Sequence, residues 1–209
     1  YLQQLFPDLA RADLQPHAVL FHQRFSTNTQ PRWPLAHPFR YLAHNGEINS
    51  IEGNRRWAQA RQQVWASPVL DVSEFDEVVS MHGSDSQSLD NVLEWLLLGG
   101  MDLPKAMRIL MPPATQSLEY KDADLAAFYE YYAINSEPWD GPAGVVTCDG
   151  KHAACTLDRN GLRPARWTLT TDGLFIIASE AGVLDIAAER VQAKGKLGPG
   201  EMIAVDLQA

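Results

Sequence analysis

Four short polar stretches stand out as places where this chain could bind a charged small molecule or do chemistry: His22-Gln23-Arg24-Phe25-Ser26-Thr27, His44-Asn45-Gly46-Glu47, Gly83-Ser84-Asp85-Ser86 and Asp158-Arg159-Asn160-Gly161-Leu162-Arg163-Pro164. Between them they offer guanidinium, carboxylate, imidazole and amide groups. Taken one at a time, each also has a purely structural explanation. An arginine at a strand end is commonly solvated or ion-paired, and Asn-Gly is a common turn. Ser84 or Asp85 before an amphipathic helix can cap it, and residues 158–164 can be a loop whose glycine serves the backbone. The thiols offer less. Cys148 and Cys155 form no CxxC pair, so a zinc or iron–sulfur site within the chain is not expected. Each falls in a predicted hairpin strand, where a cysteine behaves as a small buried hydrophobe. His152 and Cys155 lie three apart, so on a strand they point to opposite faces and make no dyad.

The elements that must position these groups follow from periodicity. Residues 18–23 are apolar and read as a buried strand ending at Arg24; residues 39–43 read as a second strand running into His44. Leu89, Val92, Leu93, Leu96 and Leu97 share one helical face, and Gly99-Gly100 stops that helix. Leu125, Phe128, Tyr129, Tyr132 and Ala133 repeat the spacing. Trp57, Ala58, Arg61, Val64 and Trp65 give a weaker stripe, and the aromatic stripes are expected in the core. Asp102 can cap a further short helix with Pro104 in its first turn. Asp149-Gly150 and Asp172-Gly173 sit between apolar runs (145–148 with 152–157, 167–170 with 174–179) and predict hairpins with type I′ turns. Residues 201–207 make a last strand. Antiparallel strands with segregated helices imply an α+β layered domain.

Bulk properties exclude several functions. The chain has 209 residues, 45% hydrophobic and 21% charged, as in an ordinary globular domain. A net charge of -9 argues against nucleic acid or an anionic membrane as the main partner. No apolar run is long enough to span a bilayer, and no signal peptide is expected. Two cysteines fit a reducing compartment, so a cytoplasmic location is expected. The chain opens at Tyr1 without a methionine and reads as a segment of a longer polypeptide.

Taken together and in order, the polar stretches resemble one family. The run HQRFSTNTQPRWPLAHPFRYLAHNGEINSIEGNRRW is similar to the glutaminase domain of glutamate synthases, which are class II glutamine amidotransferases of the N-terminal-nucleophile hydrolase superfamily. GSDSQSLDN, GGMDLPKAMRILMPPA, EPWDGPAG, LDRNGLRPAR and GPGEM extend the resemblance over essentially the whole chain. It implies a four-layer αββα fold, with residues 1–209 as the C-terminal part of the domain, incomplete at its N-terminal side. It implies L-glutamine as substrate, Arg24 as the clamp for the α-carboxylate and Asp85 as the clamp for the α-ammonium group. Thr27 and the backbone around Gly83 would help position the amino acid. The Asn45 side chain and the Gly46 N–H would form the oxyanion hole.

The family's nucleophile is an N-terminal cysteine whose own α-amine acts as base. Residue 1 here is Tyr, so the isolated segment is expected to be inactive. His44 is expected to orient its turn, His82 to be a loop residue, and Arg159 and Arg163 to bind structural carboxylates or a neighbouring part of the domain. In the complete enzyme the resemblance implies ammonia transfer to 2-oxoglutarate, flavin mononucleotide (FMN) and an iron–sulfur cluster beyond this segment, and a small NADPH-oxidising subunit of the bacterial type. Two rivals remain. One is a non-catalytic glutamine-binding module; the other is a different class II amidotransferase such as the phosphoribosyl-transferring one, against which residues 22–57 argue.

Overall fold

A computed structural model describes residues 1–26, 29–114 and 122–208. Its strands form two antiparallel sheets. The first contains β1 (Leu42–Gly46), β2 (Ala143–Cys148), β3 (His152–Leu157) and β7 (Met202–Asp206), in the order β1-β2-β3-β7. The second contains β4 (Arg166–Thr170), β5 (Phe175–Ala178) and β6 (Val191–Lys196), in the order β5-β4-β6. Alternation along the strands gives the first sheet two apolar faces. One face, with Leu42, Val145 and Ala154, packs against Leu89 and Leu93 of α3 (Asp85–Leu98) and Leu103, Met107 and Leu110 of α4 (Leu103–Leu110). The other, with Val146, Cys155, Leu157 and Ile203, meets Ala165, Ile177 and Leu197 of the second sheet and its flanks. The fully buried leucines of the first cluster each stabilise the fold by roughly 1.5–3 kcal/mol relative to exposure.

The chain is therefore α+β, as its pattern predicts, and among the described residues the layers run helices, sheet, sheet. A hollow on the outer face of the second sheet is lined by Arg166, Thr168, Ile176, Lys194 and Lys196 together with the 180–186 loop, and no helix residue lines it. The fourth layer of an αββα sandwich is not formed on that face by the described residues.

The helices follow their signals closely. Ser84 caps α3, its hydroxyl accepting from the Gln87 N–H, and Gly100 adopts a positive φ just past the helix end. Asp102 accepts from the Lys105 N–H at the start of α4, with Pro104 in the first turn. α5 (Ala123–Asn135) covers the predicted stripe, but only Tyr129 is buried on it, and Tyr131 is exposed. α2 (Ile51–Gln62) begins and ends earlier than the Trp57 stripe suggests. It buries Asn54, Arg55 and Ala58, while Trp57 and Val64 are exposed. The aromatic stripes are thus core only in part: Tyr129 is buried and Trp65 packs against the main cluster, but Trp57 is exposed because the buried side of α2 is chosen by polar contacts to the loop before α3.

Other expectations are corrected. Residues 18–23 form no strand. Burial alternates along them, with Val19 and Phe21 exposed, so the backbone carries the pattern without a partner ladder. The second strand lies three residues later than predicted, so His44, Asn45 and Gly46 belong to β1 rather than to a turn after it. Both Asp-Gly hairpins form, but not with type I′ turns. Gly150 and Gly173 have φ of 85° and 86°, and among the described residues no non-glycine has a positive φ. In the first turn the Asp149 carboxylate accepts from the N–H groups of Lys151 and His152, which fixes a three-residue loop with glycine alone in the left-handed region. β6 carries little strand signal in its sequence, because its exposed positions are lysines and glutamine rather than β-formers.

Candidate functional site

β1 is an edge strand, and its pairing pattern decides what it can offer. Glu47 N–H donates to the Pro142 carbonyl and Cys148 N–H to the Tyr41 carbonyl, so odd-numbered residues of β1 bond inward to β2. The even-numbered residues turn their backbone groups outward. Leu42 N–H donates to Asp90 Oδ1 at 3.1 Å, His44 N–H donates to His37 Nδ1 at 3.2 Å, and the His44 carbonyl accepts from His22 Nε2 at 3.0 Å. By the same alternation the Gly46 N–H points outward, beside the exposed Asn45, with no partner among the described residues.

Glycine is required at 46. Its φ is 148°, and a Cβ there would collide with the Pro142 carbonyl oxygen. Gly141, with φ of 151°, abuts the Glu47 carbonyl in the reciprocal way. The two glycines let the end of β1 and the start of β2 lie against each other. Asp158 secures the same place from behind: its buried carboxylate accepts from Ala143 N–H at 3.0 Å, and Ala143 is paired with Gly46. Arg159 binds Asp140 at 2.5 Å, so that arginine does bind a structural carboxylate, whereas Arg163 Nε is buried without a partner among the described residues. The fourth polar stretch is therefore a clasp for the site rather than part of it.

Asp85 stands at the first position of α3. Its Oδ1 accepts from Ser86 N–H at 2.7 Å and from the hydroxyls of Ser86 and Ser26 at 3.2 and 3.3 Å. Oδ2 accepts from Ile48 N–H at 2.8 Å and retains lone-pair capacity for one more donor. Ile48 follows Gly46 by two residues, so this carboxylate is fixed next to the Asn45-Gly46 pair. His44 is buried, its Nδ1 2.8 Å from Ser86 Oγ. Since the Ser86 hydroxyl donates to Asp85, it accepts from His44 Nδ1–H, which leaves His44 Nε2 bare and without a partner among the described residues. Burial lowers the His44 pKa to about 4, the Asp85 charge opposing only in part. Burial, then the neighbouring His22 and His44, also lowers His37 to about 4.

The predicted residues assemble as follows. Arg24 is exposed, and its guanidinium has no partner among the described residues; its N–H donates to His22 Nδ1 at 3.0 Å. Two residues on, Ser26 touches Asp85, which brings the Arg24 segment to the same end of β1. Gly83 lies before α3, with its N–H donated to Ser80 Oγ and its carbonyl accepting from Arg55 at 2.7 Å. Thr27 lies outside the described residues. His82 is exposed. Cys155 is buried and burial pushes its thiol up to about 12. Cys148 lies four residues from Gly144, the partner of Asn45, so roughly 13 Å along the strand. Neither thiol is placed at Asn45.

Sequence reasoning missed the residues that hold this arrangement. Arg55 is buried and donates to Ser88 Oγ, Gly83 O and Ser84 O, fixing the loop before Asp85. Asp90 accepts from the N–H groups of Arg40, Tyr41 and Leu42 and anchors the start of β1. A carboxylate beside Leu89 on the apolar stripe of α3 was the available signal for Asp90. Nothing in the local pattern pointed to Arg55.

Among the described residues, the end of this edge strand thus brings together an unpartnered glycine N–H, an exposed asparagine, a carboxylate and the segment that carries Arg24. The chain belongs to the class II glutamine amidotransferases, whose family pattern it matches over residues 1–209. It is 47% identical to the ferredoxin-dependent glutamate synthase of Cyanidium caldarium over 99% of its length, covering 14% of that protein. It is 44% identical to the large chain of the NADPH glutamate synthase of Azospirillum brasilense (100% of this chain, 14% of that one). With the NADH glutamate synthase of Saccharomyces cerevisiae the identity is 45% (97% and 10%). The chain thus spans about a seventh or less of the length of these relatives. Among solved structures it is similar to the glutamine phosphoribosylpyrophosphate amidotransferase from B. subtilis, with a TM-score of 0.42 and 16% identity over 79% of this chain and 26% of that one.

Proposed function

We propose that these residues form the glutamine-binding and oxyanion-stabilising part of a glutaminase, within a glutamate synthase. The observation that carries the reading is the outward, unpartnered Gly46 N–H beside Asn45, held next to Asp85 through the Ile48 N–H. On this reading Arg24 takes the α-carboxylate of L-glutamine bidentately. Asp85 Oδ2 takes the α-ammonium group, with Thr27 and the Gly83 backbone completing the amino-acid pocket. The side-chain carbonyl then meets Asn45 Nδ2 and Gly46 N–H, two donors aimed where negative charge develops.

The chemistry that fits is acyl transfer. A cysteine thiolate outside residues 1–209 attacks the amide carbon, and the carbonyl oxygen becomes anionic against Asn45 and Gly46. The C–N bond breaks, ammonia leaves with the proton that the cysteine thiol gave up to its α-amine, and water then hydrolyses the thioester to glutamate and restores the thiol. Cys148 and Cys155 take no part.

In the complete protein the ammonia is consumed by reductive amination of 2-oxoglutarate in the remaining domains of the polypeptide. FMN and an iron–sulfur cluster belong to those domains, and a small NADPH-oxidising subunit to the assembly. Among the described residues no group of three His, Cys, Asp or Glu is arranged to hold a metal ion. No helix of the described residues is long and apolar enough to cross a membrane. We place the protein in the cytoplasm because both thiols are free.

The test is glutamate release by the full-length protein, alongside Arg24→Ala. Turnover with a KM raised tenfold or more in the variant supports the reading. Glutamine binding without turnover in the full-length protein would favour a binding module instead, and no binding at all would end both.

A further inference from the structure

We infer that His22 is a positioning residue that fixes the spacing between Arg24 and the Asn45-Gly46 strand through a single neutral imidazole tautomer. The inference rests on the glutaminase reading above. His22 Nδ1 lies 3.0 Å from the Arg24 backbone nitrogen, and Nε2 lies 3.0 Å from the His44 carbonyl oxygen. A backbone N–H can only donate and a carbonyl can only accept. One form of the ring satisfies both: Nδ1 bare, Nε2 protonated. The other neutral tautomer places hydrogen against hydrogen at one end and lone pair against lone pair at the other.

The two residues bridged are the ones that matter for fit. Arg24 is the carboxylate-binding residue, and His44 is the residue immediately before Asn45. A glutamine molecule has a fixed reach from its α-carboxylate to its side-chain amide, so these two protein groups must stand at one matched separation. The ring is itself held. It packs edge-on against His37, ring centroids 4.7 Å apart at 63°, and His37 Nδ1 accepts from the His44 N–H at 3.2 Å. The outward N–H and C=O of His44 are thus gripped by two imidazoles packed on each other. At the far end of the segment the Ser26 hydroxyl donates to Asp85. Arg24 is pinned between two ties, one to the oxyanion strand and one to the ammonium-binding carboxylate. Among the described residues its own guanidinium has no partner.

The two ends of the imidazole can be separated chemically. In His22→Gln the side-chain amide N–H reaches the position of Nε2, so donation to His44 is kept and the Arg24 N–H loses its acceptor. In His22→Asn the side-chain oxygen takes the position of Nδ1, so the Arg24 tie is kept and the His44 carbonyl loses its donor. Steady-state glutaminase kinetics on the full-length protein should then split. His22→Gln should raise KM by roughly tenfold or more with the smaller change in kcat, His22→Asn should lower kcat by a similar factor with the smaller change in KM, and His22→Ala should do both. Equal effects of the Gln and Asn variants on both constants, or wild-type kinetics in either, would overturn the assignment.

Wild type and Arg24→Ala run beside them separate the two ideas. An inactive wild type defeats the glutaminase reading, not the bridge. In that case, as in the case of poorly folded variants, neutron diffraction from crystals of the wild-type protein decides: a deuteron on Nε2 and none on Nδ1 supports the bridge, and any other occupancy refutes it.

Discussion

Acid should destabilise this fold through His44 in a defined window. The imidazole is buried on the helix side of the first sheet, and its pKa falls from the ordinary 6.5 to about 4. In the unfolded chain it takes up a proton near pH 6.5; in the folded chain it stays neutral until about pH 4. Between those values the unfolded state binds one more proton, so stability rises with pH and is lost as pH falls. The slope for one proton is about 1.4 kcal/mol per pH unit, which over this window comes to about 3 kcal/mol. Against a domain stability of roughly 5–15 kcal/mol that is a large fraction. His37 acts with the same sign, reduced because its ring is partly exposed. Asp90 acts oppositely: burial raises its pKa, so its protonation favours the folded state as pH falls. Exposed Asp13, Asp71 and Asp172 are lowered below 3.8 and act only under the window. The assay is urea unfolding at half-unit steps from pH 7.5 to 4, comparing wild type with His44→Gln, which cannot titrate. The variant should be less stable at pH 7 but flatter with pH. Parallel curves would refute the argument that a buried neutral imidazole sets the acid sensitivity.

The remaining expectations are direct. Asn45→Ala in the full-length protein should lower kcat by about 10²–10³, roughly 2.7–4 kcal/mol, because its contact strengthens only as the oxyanion forms; a near-normal kcat in Asn45→Gly would leave Asn45 as a merely structural residue. Gly46→Ala should cost roughly 1–3 kcal/mol in urea melts, from the collision with Pro142, and should abolish turnover; an unchanged midpoint would mean that β1 and β2 can separate there freely. Cys155→Ala should cost stability through a small cavity yet leave glutaminase KM and kcat at wild-type values, and Cys148→Ala should do the same to kinetics; loss of turnover in either would return a thiol to the reaction.

Much of the frame was legible because local rules acted unopposed. The Leu89 stripe, the Ser84 and Asp102 caps and both Asp-Gly hairpins depend on neighbours within a few residues, and they formed where the pattern put them. What failed depended on distant partners. Residues 18–23 have a strand's composition, but a strand needs a ladder, and the outward groups of β1 are already taken by side chains. The register of β1 is not legible in the sequence because His44 and Asn45 look polar enough for a turn, whereas burial of His44 against Ser86 draws them into the sheet. The stretches that hold the site residues were readable from the family resemblance. The supports were not: Arg55 and Asp90 act on backbone groups 28 and 48 residues away, and no periodicity records such contacts.

The way β1 is closed off bears on solubility. An exposed strand edge offers a row of unsatisfied N–H and C=O groups on which another chain can nucleate a fibre or a sheet-to-sheet aggregate. Here two imidazoles and a carboxylate occupy most of that row, so an incoming strand would have to displace three side chains to pair along β1 beyond Gly46. The opening left at Gly46 is one residue long, too short to seat a strand but long enough for a small amide.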